Sequence, residues 1–464
     1  MSEEVYQAIA HASSGFVESP ARCGKTEAIV RTVGTYCADP QLILTHTHAG
    51  VDALRQRFRK HQVPTNRYHV DTIAGWAWGW VRKYPANAGY DGPGEVPEWD
   101  NVYASMANLL VKCFVKQGVL NSYAGVIVDE YQDCTVPMHE LIVQLKSLLP
   151  CRVLGDDLQG IFGFRDDPLV GWTDVQGEFA NDLGALETPH RWINAGNENL
   201  GRWLLRERPA FRKDREPDYR GSYVERQRVQ YGDLGKELLR LTDETEGKIC
   251  FIGPKVRRLN TAVETILVKR GYRLLEANDL TALRDFVLAL ADGTPRQKAD
   301  AAFKFFSHAH GGLAPDTKTF IANVLKGEGG RPRRADRRAL FDAHRQGTTP
   351  TLLADLLDYV AGLNSVSCKL RESVSALRCI LEAHISSGTD LKSLYAEEIA
   401  RRKYHSRSSV YRCIGSTLLV KGLEFDHAVI LRDPNWQQSW GSYRDLYVAL
   451  SRGSKSVTLM DLAA

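Results

Sequence analysis

The chain has 464 residues, 43% of them hydrophobic and 25% charged, which is too long for one ordinary core and has the composition of a folded protein. No apolar run approaches the roughly 20 residues of a membrane-spanning helix, and a net charge of +4 does not by itself announce nucleic acid. The nine cysteines are scattered without a C-x-x-C pair, which argues against a zinc site or a disulfide framework and for a reducing compartment. The start, Met1-Ser2-Glu3-Glu4, lacks the basic-then-apolar order of a signal peptide, so a cytoplasmic location is expected.

The first informative stretch is "VESPARCGKTEAIV", residues 17–30. Gly15-Phe16-Val17 reads as a short strand, and Ile29, Val30 and Val33 recur at helical spacing. Between them, Gly24-Lys25-Thr26 is how a phosphate-binding loop closes before its helix: bare N–H groups cradle phosphates, the lysine meets the β/γ oxygens, and the threonine hydroxyl holds Mg²⁺. Ser19 stands where that pattern asks for glycine. On its own the triplet reads equally as an ordinary helix cap.

Further along, Val126-Ile127-Val128 is apolar without alternation, as in a buried parallel strand. Asp129 and Glu130 follow at its carboxyl end, where α/β sheets bind ligands. A carboxylate there can hold a metal, and its neighbour can polarise an attacking water. With the loop at Lys25, this predicts a nucleoside triphosphate site. "CRVLGDDLQGIFGFRDD", residues 151–167, repeats the design of a strand ending in carboxylates, then adds Gln159, Phe162, Phe164 and Arg165. A glutamine there can sense a γ-phosphate, and the rings can offer flat faces to bases; the alternative is core aromatics beside a turn. The basic clusters at 254–258, 330–338 and 400–407 read singly as solvated faces more readily than as phosphate tracks.

Taken in order, these segments resemble the UvrD/Rep/PcrA-like DNA helicases of superfamily 1. The resemblance extends through "LILTHTHAGVDALRQRF" (42–58), "VDTIAGWAW" (70–78), "LETPHRW" (186–192), "STLLVKGLEFDHAVIL" (416–431) and "LYVALSRGSKSV" (446–457). It implies an α/β protein with two doubly wound, parallel-sheet RecA-like lobes, each carrying a mainly helical insertion. Lobe 1A would take residues 1–74 and 124–188, and insertion 1B residues 75–123. Lobe 2A would take 189–292 and 411–464, and a reduced insertion 2B residues 293–410. Within the ATP site it implies Gln7 reading adenine, with Ser19, Gly24, Lys25 and Thr26 on the phosphates and Glu424 on the ribose. Thr26 and Asp129 would hold Mg²⁺, and Glu130 would be the base. Gln159 would couple the γ-phosphate to the DNA-facing segment, with Arg191 and Arg452 as arginine fingers.

Departures from the family pattern fall mostly on the nucleic-acid side. His190 replaces a base-stacking tyrosine, and His46 a DNA-stacking aromatic. Thr72-Ile73-Ala74 lacks the family's aromatic and histidine, and Phe164 stands where tryptophan is usual. His46, Thr72, Phe162, Phe164 and Arg165 are the expected strand contacts. The resemblance implies an ATP-dependent 3′-to-5′ translocase or helicase on single-stranded or tailed duplex DNA. A second expectation is a nucleotide-sensing subunit that regulates a partner nuclease of the OLD family, as in the Gabija type of phage defence.

Overall fold

The computed structural model describes residues 2–91, 99–161, 168–253, 263, 265–275, 280–364, 366–392, 394–395, 398, 411–434, 436 and 442–463. Phe162, Phe164, Arg165 and the basic clusters at 254–258 and 400–407 lie outside these residues.

The first sheet contains β1 (Ser14–Glu18), β2 (Gln41–Thr45), β3 (Tyr68–Thr72), β4 (Gly125–Val128), β5 (Cys151–Gly155) and β6 (Asp182–Ala185). They lie in the order β3-β2-β4-β5-β1-β6, and every pairing is parallel. Alternate residues of these apolar strands bury on opposite faces. Leu42, Leu44, Val126, Val128 and Val153 enter one core, and Val17, Ile43, Ile127 and Leu154 enter the other. Helices therefore cover both faces, which is why the strands carry no polar side.

The same logic builds a second sheet from β7 (Val224–Gln230), β8 (Ile249–Ile252) and β9 (Arg273–Leu274), followed later in the chain by β12 (Arg412–Gly415), β13 (Phe425–Arg432) and β14 (Gly453–Ala463); β10 (His310–Gly311) and β11 (Ser367–Cys368) form a separate two-stranded ribbon. The second sheet has the order β7-β14-β13-β8-β12-β9, again with parallel pairings throughout. Cys250, Ile252, Ile430 and Leu459 bury on one face, and Phe251, Val429, Leu431 and Met460 on the other. The protein is α/β, with two parallel sheets wrapped by helices, as two RecA-like lobes require.

Two compact units emerge: residues 1–92, 97–275 and 407–464, which hold both sheets, and a second unit of 276–406 with 93–96. Residues 280–292, expected within lobe 2A, lie in the second unit. Helix Leu280–Asp292 buries Leu283, Phe286, Val287 and Leu290 in the core of the second unit. There Phe286 stacks on Phe305 of helix Pro295–Ala309, ring centroids 5.1 Å apart. That apolar stripe needs the insertion's helices to cover it. Within this unit the Gly/Arg stretch does interrupt the helices: Pro315–Lys326 stops at Gly327, whose φ of 70° suits glycine, and the next helix starts at Ala335.

Among the described residues no helix is long and apolar enough to cross a membrane.

Candidate functional site

β4, β5 and β1 are neighbours in the first sheet, so the segments that follow them meet at one edge. The loop after β1 carries Lys25, the turn after β4 carries Asp129 and Glu130, and the turn after β5 carries Asp156, Asp157 and Gln159. Proximity of these three motifs thus follows from strand order alone.

In the loop, the left-handed backbone positions are Arg22 (φ 62°) and Gly24 (φ 95°), and Ser19 is not among them. This explains why Ser19 is tolerated: glycine is demanded only where φ is positive. Ser19 instead donates its N–H to the Gly155 carbonyl at 2.8 Å, prolonging the β1–β5 ladder. Its hydroxyl is fully buried and has no hydrogen-bond partner among the described residues, a polar group turned inward beside this loop. Gly24 caps helix Lys25–Arg31, and Thr26 is half-buried in its first turn.

Lys25 is buried, and its Nζ lies 3.3 Å from Glu130 Oε2. Burial opposes its charge, but Glu130, Asp129 and Asp156 outweigh that and raise its pKa. Glu130 also adopts a left-handed backbone (φ 55°), strain of a kind that clusters at functional sites. Gln132 Nε2 donates to it at 2.6 Å, while Gln132 Oε1 accepts the Asp156 N–H at 3.0 Å. Despite burial, Lys25 and Gln132 hold Glu130 down at about 2. Asp129 moves the other way: burial first, then the Glu130 charge, pushes it up to about 7. One of its oxygens accepts the Glu130 N–H at 2.9 Å, and among the described residues nothing hydrogen-bonds the other. A buried carboxylate with a free oxygen, at a strand end beside a phosphate loop, fits a hard cation.

The second lobe reaches this edge with arginines. Arg452 is buried; its Nε donates to the Val448 carbonyl at 2.9 Å and its Nη2 approaches Gln159 Oε1 at 3.4 Å. Burial, then Arg22 and Arg191, depresses it to about 9. Arg191 donates to the carbonyls of Ser451 (3.0 Å), Phe425 (2.9 Å) and Arg452 (2.5 Å). It too falls to about 9, through burial and then Arg22. Arg22 pairs with Glu424 and donates to the Leu423 carbonyl at 3.1 Å. Three guanidiniums thus stand near Glu424, and among the described residues Arg22 is the one shown paired with it.

The other expected residues fall as follows. His190 opens helix His190–Asn194, and its Cδ2 lies 3.4 Å from where a β-carbon on Gly24 would stand. Gln7 is exposed on helix Ser2–His11, beside Tyr36. His46 Nε2 sits 3.4 Å from Cys134 Sγ, and burial depresses the ring to about 4 against the pull of Glu130, so it is neutral. Thr72 is buried, and its hydroxyl accepts the Gly75 N–H at 2.9 Å, which makes it the N-cap of helix Ile73–Val81. Thr72→Ala is expected to cost about 1 kcal/mol of stability, which a denaturant melt checks.

Arg208 lies outside every motif, and the sequence gives Tyr447 and Lys421 no role although both stand in motif stretches. Arg208 donates through Nη1 to Asp156 at 2.7 Å and to the Tyr447 hydroxyl at 2.9 Å. Its Nη2 reaches Glu18 and Asp157, both at 2.8 Å. Tyr447 in turn donates to Asp156 at 3.0 Å and accepts the Ala21 N–H at 3.2 Å, while Gln159 Nε2 donates to Asp156 at 2.8 Å. Lys421 pairs with Asp133 at 2.5 Å and donates to the Gln159 carbonyl. One buried network therefore ties the phosphate loop, the Asp156–Gln159 turn and the second lobe. Arg208→Ala leaves Asp156 buried without its main partner and is expected to cost about 3 kcal/mol. Arg208→Lys should recover only part, because an ammonium cannot span two carboxylates as a fork does. An unchanged denaturation midpoint in the alanine variant would show that the network contributes nothing.

No family model matches this chain, and no curated protein does. Among solved structures, it is similar to arterivirus nonstructural protein 10, a helicase, at 11% identity and a TM-score of 0.35, over 99% of this chain and 62% of that one. It is also similar to the complex of that helicase with DNA, at 13% identity and a TM-score of 0.27, over 54% of this chain and 49% of that one. The chain thus spans less than two thirds of the length of these structures. The likeness is weak and concerns the fold alone, so any functional reading has to rest on the side chains described above.

Proposed function

We propose that the protein is an ATP-dependent translocase or helicase on single-stranded DNA, of the UvrD-like kind and with 3′-to-5′ polarity. The observation that supports it best is that Lys25 pairs with Glu130 within the first lobe while Arg452 of the second lobe reaches Gln159 of the first. A kinase needs one such lobe and has no use for a buried arginine contributed by a second. In this reading the first sheet belongs to lobe 1A and the second to lobe 2A. Lys25 and the loop N–H groups bind the β/γ-phosphates, and Gln7, Glu424 and His190 surround the nucleoside. Glu130, ionised and held by Gln132, accepts the proton of the attacking water. Thr26 and Asp129 would hold Mg²⁺, which when bound supplies charge neutralisation to the phosphates. Arg22, Arg191 and Arg452 compensate the charge that develops on the γ-phosphate, and Gln159 carries its presence through Asp156 and Arg208 to the second lobe.

The deciding experiment is the ATPase rate of the purified chain with and without single-stranded DNA. Stimulation by the strand, with unwinding of a 3′-tailed duplex, is expected. Steady ATPase that ignores DNA would overturn the reading and favour the nucleotide-sensing regulator of a nuclease.

A further inference from the structure

Insertion 75–123 carries an exposed aromatic face that the ATP site does not use. Helix Ile73–Val81 ends in a turn presenting Tyr84, and helix Cys113–Ser122 presents Phe114 beside it. Their ring centroids are 5.1 Å apart at an interplanar angle of 68°. Trp80 lies behind, stacked with Tyr84 at 6.3 Å, its ring edge pressed on Gly118 so closely that a β-carbon there would come within 3.0 Å. The floor is therefore fixed by packing, while Tyr84 and Phe114 remain 37% and 46% exposed. Large apolar rings left to water on a packed support mark an interaction surface.

Charge says what kind. Arg82 and Lys83 flank Tyr84 in the chain, and Lys112 and Lys116 flank Phe114; all but the half-buried Lys116 are exposed. Residues 73–90 and 111–123 contain no aspartate or glutamate. Among the described residues, none of these cations has an ion-pair partner, whereas basic side chains elsewhere are commonly paired, as Arg331 is with Asp342 and Arg334 with Asp336. Adjacent rings inside a ring of unneutralised cations suit a strand whose bases are unpaired and whose backbone is anionic. A protein partner of ordinary composition would not select for the complete absence of carboxylates.

We infer that Tyr84 and Phe114 form a stacking platform for single-stranded nucleic acid, with Arg82, Lys83, Lys112 and Lys116 on its phosphates. The inference rests on the translocase reading and extends it, because it places a strand contact on the insertion, away from the motif positions. The platform is tolerant of sequence, since every base has a flat face.

The test is binding of a fluorescent oligodeoxythymidylate to the full chain as salt is varied. Tyr84→Ala with Phe114→Ala should weaken affinity by about tenfold or more, and basal ATPase without DNA should not change. Both side chains are exposed, so the variant is expected to fold. Lys83→Gln with Lys112→Gln should lower the slope of log affinity against log salt by about 0.7 per cation removed, a readout that a purely structural role would not move. Wild-type binding with both variants unaltered would overturn the platform and leave the translocase reading standing. No strand binding by the wild type would overturn both. Self-association of the wild type that the aromatic variant abolishes, with strand affinity unchanged, would assign the face to a protein partner and overturn the inference.

Discussion

Replacing Arg452 by alanine is expected to lower ATP turnover by about 10³-fold or more, the range in which arginine fingers act. The side chain is buried and lies 3.4 Å from the Gln159 amide oxygen. It sits close enough to Arg22 and Arg191 that their charges depress it further. Guanidiniums crowded in this way repel one another until an anion enters, so their mutual repulsion in the free protein becomes attraction once a triphosphate is bound. Nucleotide affinity should fall much less than turnover, because in the proposed site Lys25 and the loop N–H groups would hold the phosphates independently. Arg452→Lys keeps the charge but loses the fork, and should restore only a small part of the rate. Turnover that survives Arg452→Ala intact would sink the idea that the second lobe completes the site.

Glu130→Gln is expected to lower hydrolysis by about 10³-fold while ATP still binds. In the folded chain this carboxylate is held down at about 2, by Lys25 at 3.3 Å and by the Gln132 amide, so it is ionised and able to accept a proton throughout the working range. An amide of the same shape cannot. The substitution also frees Lys25 from its nearest carboxylate, so nucleotide affinity should hold or rise. Single-turnover hydrolysis beside equilibrium nucleotide binding separates the two effects. A parental rate in this variant would move the base elsewhere, with Asp129 the next carboxylate to test.

Much of the fold was legible in the sequence because both sheets are parallel and covered on both faces. Such strands must be apolar throughout, so Val126-Ile127-Val128 and the run at 249–252 declare themselves without alternation. The residues proposed for the site, Lys25, Asp129, Glu130 and Gln159, follow such strands closely, since loops at the carboxyl ends are where this architecture binds ligands. The helix Leu280–Asp292 was harder to place. Its apolar stripe predicts a buried face, but a stripe does not say which core covers it, and the second unit does.

What sequence alone determined is therefore local: which segments are buried strands, and which of the loops that follow them carry charge. The tertiary structure decided the pairings. Arg22 meets Glu424, Lys421 meets Asp133, and Arg208 gathers Glu18, Asp156 and Asp157; the motifs mark several of these residues, but nothing in the sequence matches one partner with the other, because ion pairs between remote segments are selected by packing. Ser19 shows the same division from the other side. As a letter it breaks the glycine pattern of a phosphate loop, and only the backbone, left-handed at Arg22 and Gly24, reveals that glycine was not needed there.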